Sequence, residues 1–239
     1  MQWKNRKKAL WIVVTLLVLS IIGLLIIRAQ ITKKQSNDYV NWFSNKISQV
    51  ELQQIPIAYV GNNAIYEEDV YAYALLHSID VAYHEGCDPE EIYQSCSVLQ
   101  DSFLKLLQNE IYVVYAEEIG MEISAEDATT FIDKQNTADL QSDKPNQKAT
   151  AIILNQYYTY FAGYNRGVYA RNIVNQSILD QSNDPQEISQ KALELYEILE
   201  KKYSVIILGN APKCLLEEDF VADCAREGIK AVLEKENGS

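Results

Sequence analysis

Six residues of this 239-residue chain have side chains that readily bind metals or change redox state: His77, His84, Cys87, Cys96, Cys214 and Cys224. The two histidines are seven apart, which allows one helical face, but no Cys/His spacing nearby completes a metal site. They read as core or surface histidines. Cys87 and Cys96 are nine apart, Cys214 and Cys224 ten apart, and an even count permits disulfides outside the cytoplasm. A direct 87–96 bridge needs Cα atoms within ~7 Å, whereas the helix expected between them spans ~13 Å, so that bridge requires a broken helix. Pairing with the tail cysteines is equally open, and four free thiols are the competing reading.

Catalytic motifs are lacking. There is no Gly-x-Ser-x-Gly, phosphate loop, dinucleotide fingerprint or HExxH. Acidic residues gather at helix starts and solvated faces, which gives no support to a hydrolytic carboxylate pair. No catalytic residue, metal or cofactor is expected. The remaining signal is aromatic. Among sixteen tyrosines, Tyr157, Tyr158, Tyr160, Tyr164 and Tyr169 share one helical stretch with Phe161. Such a stretch packs a core or lines a cleft for extended, partly apolar chains, since Tyr offers apolar area at small entropic cost plus a hydroxyl.

The elements that must position these residues are mostly helical. Residues 57–60 (Ile-Ala-Tyr-Val) form a short strand-compatible run, followed by Gly61-Asn62-Asn63, which suits a tight turn. Glu67, Glu68 and Asp69 then favour a helix N-terminus. This extended piece needs a partner strand, and residues 203–208 (YSVIIL) are the candidate, giving a mainly α domain closed by a small two-stranded sheet. Residues 35–54 read as a helix capped by Asn37 or Asp38, ended by Pro56, and either packed on the domain or standing as a stalk. Further helices are expected over 70–83, from Asp88-Pro89, over 99–119 with Gly120 as its stop, from Ser124 to about Lys134, and from Asp184-Pro185. Residues 136–146 read as a loop. Residues 149–181 read as a long helix broken near Gly163 and Gly167, and residues 215–235 as a weaker acidic helix.

Charge divides the chain. Residues 1–34 hold seven basic and no acidic residues, leaving 14 basic against 33 acidic in the remainder, a net of −19. That acidic body excludes nucleic acid as a partner, because such binding rests on Lys and Arg meeting phosphate. Residues 9–27 are 19 uncharged, mostly apolar residues, long enough to cross ~30 Å of hydrocarbon. Lys4, Arg6, Lys7 and Lys8 precede them, and Trp3 and Trp11 suit the interfacial belt, so the N-terminus is expected in the cytoplasm and the large domain outside. A cleaved signal peptide fits less well, because the apolar core is long and Arg28 stands where a small residue is needed. The sequence thus divides into a cytoplasmic tail (1–8), a signal anchor in the lipid bilayer (9–27), a juxtamembrane helix (28–54), a main domain (55–208) and a helical tail (209–239).

Three blocks in order resemble the N-terminal, peptide-binding domain of the SurA/PrsA foldases: residues 57–70 (IAYVGNNAIYEEDV), 104–128 (LKLLQNEIYVVYAEEIGMEISAEDA) and 192–208 (ALELYEILEKKYSVIIL). The chain departs from that pattern with Gly-Asn-Asn in place of Asn-Gly and Tyr66 in place of a Ser/Thr cap. Foldases of this kind often carry a parvulin-type prolyl isomerase module before the last helix. Here residues 134–184 hold two glycines and no histidine, so that module is absent. The resemblance implies a single-pass, extracytoplasmic chaperone that holds unfolded or exported polypeptides without ATP, with the six aromatic residues above as the candidate peptide-binding set. The alternatives are a dedicated assembly factor for one envelope or secretion complex and an isomerase-related protein.

Overall fold

The residues around Gly61 do what their types dictate. Gly61 takes φ 59°, and the two-residue loop Gly61-Asn62 joins strand β1 (Pro56–Val60) to β2 (Asn63–Tyr66) as an antiparallel hairpin. The computed structural model describes the backbone of residues 2–180, 184–226 and 230–233, and within these the side chains other than those of residues 2–16, 192, 196–198, 200–201, 225–226 and 230. The expected long-range pairing forms: β1 runs antiparallel to β3 (Ser204–Ile207), with Ala58 opposite Ile207 and Val60 opposite Val205. The sheet is larger than the expected two strands, because β2 and a tail strand, β4 (Lys230–Leu233), also join. Its order is β2-β1-β3-β4, with β4 parallel to β3.

The helices are α1 (Gln2–Ile47), α2 (Glu67–Glu85), α3 (Pro89–Tyr93), α4 (Cys96–Glu118), α5 (Ala125–Asp139), α6 (Pro145–Gln156), α7 (Ala162–Leu179), α8 (Pro185–Lys202) and α9 (Glu218–Arg226). Several start where their caps dictate. Asp88, Ser124 and Asp184 accept from the backbone N–H of Glu90, Asp127 and Gln186. Other expectations are corrected. Asn37 and Asp38 cap nothing, since α1 runs through them to Ile47 and both face solvent. The loop expected over 136–146 is shorter, residues 140–144, because α5 runs on to Asp139 and α6 begins at Pro145. The break in 149–181 falls at Tyr157–Phe161, a 3-10 turn over Tyr158–Phe161, and both glycines lie inside α7. Gly167 is there for close approach: a Cβ on it would meet Asn109 Cβ at 2.4 Å, so α7 crosses α4 nearly backbone to backbone.

Two apolar clusters result. In one, Ala58, Val60, Val205 and Ile207 on one sheet face cluster with Ile57 and with Phe103, Leu107 and Ile111 of α4, and Leu215 and Phe220 from the tail join them. In the other, Phe43 and Ile47 of α1 pack with Leu75 and Ile79 of α2, Ile153 of α6 and Phe161. Tyr73 and Tyr164, 4.9 Å apart, border both. A disulfide between Cys96 and Cys214, 118 residues apart, ties the tail to the start of α4; Cys87 and Cys224 are free thiols.

The predicted span, residues 9–27, lies on α1. Side chains up to residue 16 fall outside the described ones, and among the described residues no helix is long and apolar enough to cross a membrane. Over residues 17–27, Leu17, Val18, Leu19, Ile21, Ile22, Leu24, Leu25, Ile26 and Ile27 are each 47–67% exposed. The same helix continues into the domain, where Arg28 pairs with Asp143 at 2.5 Å and Lys46 with Glu90 at 2.8 Å.

Candidate functional site

The acidic run that starts α2 is also one wall of a cleft. Glu67, Glu68 and Asp69 occupy the first turn, where the helix dipole favours them, and β2 feeds straight into that turn. Tyr66 stands at the N-cap without a side-chain cap bond. The backbone of Tyr66 favours the charged form of Asp69, three residues on, although burial outweighs it. The cleft, about 940 Å³, lies between this hairpin-to-helix corner, α4, the start of α5 and the beginning of α7. All four β2 residues line it, and among the described residues β2 is an edge strand whose hydrogen-bonded neighbour in the sheet is β1.

Three carboxylates and one guanidinium set its electrostatics. Glu110 projects from α4 and is 6% exposed; its Oε1 accepts from Asn63 Nδ2 at 2.8 Å and from Arg166 Nη2 at 2.7 Å. Burial nonetheless holds its carboxyl above the usual range, against the pull of Arg166 and Asn63. Glu68, 5% exposed, accepts from the backbone N–H of Gln54 at 2.7 Å and so anchors a residue held at φ 51°, an uncommon conformation for a non-glycine. Asp69 is pushed furthest, to about 7, by burial first and then by the negative charges of Glu68 and Glu110; the Tyr66 backbone and Arg166 only partly offset these. Asn165, one residue before Arg166, is 5% exposed and lines the cleft, and its Oδ1 has no hydrogen-bond partner.

The six aromatic residues expected to bind peptide are divided by the break at Tyr157. Tyr158 is 58% exposed and lines the cleft. The other five serve packing. Phe161 is fully buried, with its ring centroid 6.0 Å from that of Phe43. Tyr157 lies 5.3 Å from Phe43 and donates to Ser44 Oγ at 2.8 Å, and Tyr160 donates to the Val50 carbonyl at 3.2 Å. Tyr164 packs on Tyr73, burial raising its phenol above the ordinary value, and Tyr169 packs on Phe131 at 5.7 Å. The side chains that define the cleft floor, Asp69, Glu110, Asn165 and Arg166, were not singled out in the sequence. The signal that could have pointed to them is Glu110 itself, a charged residue in the middle of the apolar run of α4.

Among the described residues, the cleft offers the edge strand β2, the exposed ring of Tyr158 beside the half-buried Tyr59 and Tyr66, and three carboxylates against one guanidinium. No protein-family model, curated protein or solved structure matches this chain.

Proposed function

We propose that this protein is a membrane-anchored, extracytoplasmic holdase of the SurA/PrsA type, without the isomerase module, that binds extended segments of exported polypeptides and needs no ATP. The observation that carries the reading is the free edge of β2 inside a cleft of about 940 Å³. An edge strand in a cleft can accept a client's backbone through ladder hydrogen bonds, which do not depend on client sequence, while neighbouring side chains select among clients. Two further features support the location. Helix α1 is apolar on every side over residues 17–27, as a lipid-embedded helix is, and the Cys96–Cys214 disulfide suits an oxidising compartment.

One observation favours a second reading, the dedicated assembly factor. Glu110 is fixed by Asn63 and Arg166, and a fixed charged floor discriminates more than an apolar surface does. One experiment separates the two. The full chain in lipid nanodiscs is titrated, without ATP, into an aggregating unfolded secretory protein while light scattering is followed. Suppression near stoichiometric ratio is the expected result. Unchanged aggregation at large excess overturns the holdase and leaves the assembly factor.

A further inference from the structure

We infer that the domain stands directly on the membrane surface, with the turn between α5 and α6 (residues 140–144) among phospholipid headgroups and the cleft held well above them. The inference rests on the reading of α1 as a membrane anchor and adds how the domain is set on that anchor.

The first argument is where the domain meets the helix. The apolar run of α1 ends at Ile27, and the next residue, Arg28, already pairs with Asp143 of that turn. One helical turn on, Thr32 is buried and donates from Oγ1 to the Asp143 carbonyl at 3.1 Å. At about 1.5 Å per residue both contacts fall within ~8 Å of the end of the apolar run, close to the depth of one headgroup layer. The turn therefore has no room to stand clear of the lipid.

The second argument is that α1 does not serve as a loose stalk. Helix α6 starts beside Thr32 and runs along α1 in the same direction, because Tyr157, just past its end, donates to Ser44 Oγ at 2.8 Å. Beyond that point Trp42 Nε1 and Lys46 Nζ donate to Glu90 at 3.1 and 2.8 Å, and Phe43 and Ile47 are buried. The domain is thus fastened to α1 from residue 28 to residue 47. Measured along the helix, Ser44 lies about 25 Å past Ile27, which sets the height of Tyr158 and of the cleft wall it belongs to.

The third argument is charge. Residues 28–37 and 139–148 hold five basic and two acidic residues, whereas the rest of the chain from residue 38 holds 12 basic and 31 acidic. Asp143 is taken by Arg28, which leaves Lys33, Lys34, Lys144 and Lys148 against Asp139 at this level. Lys33, Lys34 and Lys144 are exposed, and their aliphatic stems can lie on lipid while the ammonium groups reach phosphate oxygens. Ile31, 53% exposed, carries the apolar surface of α1 past Arg28, as suits this boundary. Phospholipid phosphate is the occupant of the patch because the anchor places the bilayer there.

The test uses the full chain in nanodiscs of phosphatidylcholine and phosphatidylglycerol, with Cys87→Ser removing the half-buried thiol while Cys224 stays buried. A fluorophore is attached in turn to Leu24→Cys, Gln141→Cys or Asn45→Cys, and lipids bearing a nitroxide in the acyl chain or on the headgroup quench it by proximity. The acyl-chain nitroxide is expected to quench the label at 24. The headgroup nitroxide is expected to quench the label at 141 at least about threefold more than the one at 45, which sits ~25 Å further along α1. An unquenched label at 24 overturns the anchor and the inference together. A quenched label at 24, with 141 quenched no more than 45, overturns the inference and leaves the anchor intact.

Lys144→Glu combined with Lys148→Glu is expected to lower the quenching at 141 at least about twofold, because the patch then repels phosphate. Unchanged quenching overturns the phosphate contact. On the unaltered protein, a phosphatidylethanolamine with a diazirine on its headgroup provides an independent check. Adducts on residues 28–34 or 139–148 support the inference, and adducts confined to other parts of the domain overturn it.

Discussion

Residues 63–69 and residues 157–169 flank the same cleft and contribute opposite things to it. The first segment is short and polar, and it presents an edge strand and two helix-start carboxylates to the cavity. The second is rich in rings, yet all but one of its aromatic side chains turn inward to join α1 and α2 or to pack against α5. Aromatic density in a sequence therefore measures core demand as readily as binding capacity, because a ring buried against Phe43 lowers the energy of the fold whether or not a ligand exists. Charge is different. A buried carboxylate costs stability unless something partners it, so its persistence at a cleft carries more information than the rings do.

The contrast can be broken first where it is largest. Phe161→Ala empties a fully buried site between α1 and α2 and is expected to destabilise the fold by about 3–5 kcal/mol in denaturant titration. A loss below about 1 kcal/mol would mean that the second segment is not core. Gly167→Ala comes next. Its Cβ cannot coexist with Asn109 Cβ at 2.4 Å, so α7 must lift from α4, at a cost approaching 3 kcal/mol. The same shift draws Arg166 away from Glu110, so the loss of stability and the loss of client binding should appear together.

Much of the fold was legible because its signals are local. Asp88, Ser124 and Asp184 announce helix starts through their own side chains, and residues 57–60 and 203–208 stand out as β-prone runs in a helical chain. What was not legible depends on tertiary partners. Lys230, Ala231, Val232 and Leu233 read as the end of an acidic helix over 215–235, but among the described residues the helix there is confined to α9 and pairing with β3 makes these four a strand. Glycines inside α7 look like breakers until Asn109 is placed against one of them. The disulfide partner of Cys96 is fixed only when the tail folds back onto α4. Likewise Glu68 and Asp69 carry an ordinary helix-start signature, and nothing local says that Glu110 and Arg166 from two other helices will close over them.

The charged side of the comparison predicts a pH dependence. Asp69 titrates near 7 in the fold and near the ordinary aspartate value when unfolded, so between these values the folded state holds more protons. Its contribution is therefore neutral below about pH 4, becomes destabilising as pH rises, and reaches its full cost above about pH 7. Glu68 on its own helix, Glu110 on α4 and Arg166 on α7 face it, and the Glu110 shift has the same sign. Asp69→Asn should remove this slope and stabilise the protein by about 2 kcal/mol at pH 8, with little gain at pH 4. Parallel denaturation curves at both pH values decide it, and an equal gain at each would show that Asp69 does not titrate as described.

The smallest effect on stability is the sharpest test of the division. Tyr158→Ala removes an exposed ring and should change stability by less than about 0.5 kcal/mol. In the same variant, affinity for an extended client should fall about three- to tenfold, because the ring is the aromatic contact that its segment offers to the cleft. Tyr160→Ala, two residues away, should do the reverse, since its hydroxyl bonds to Val50 and its ring packs in the helical core. If Tyr158→Ala binds normally while Tyr160→Ala binds weakly, clients lie on the other side of the 3-10 turn, and the strand edge of β2 is not what receives them.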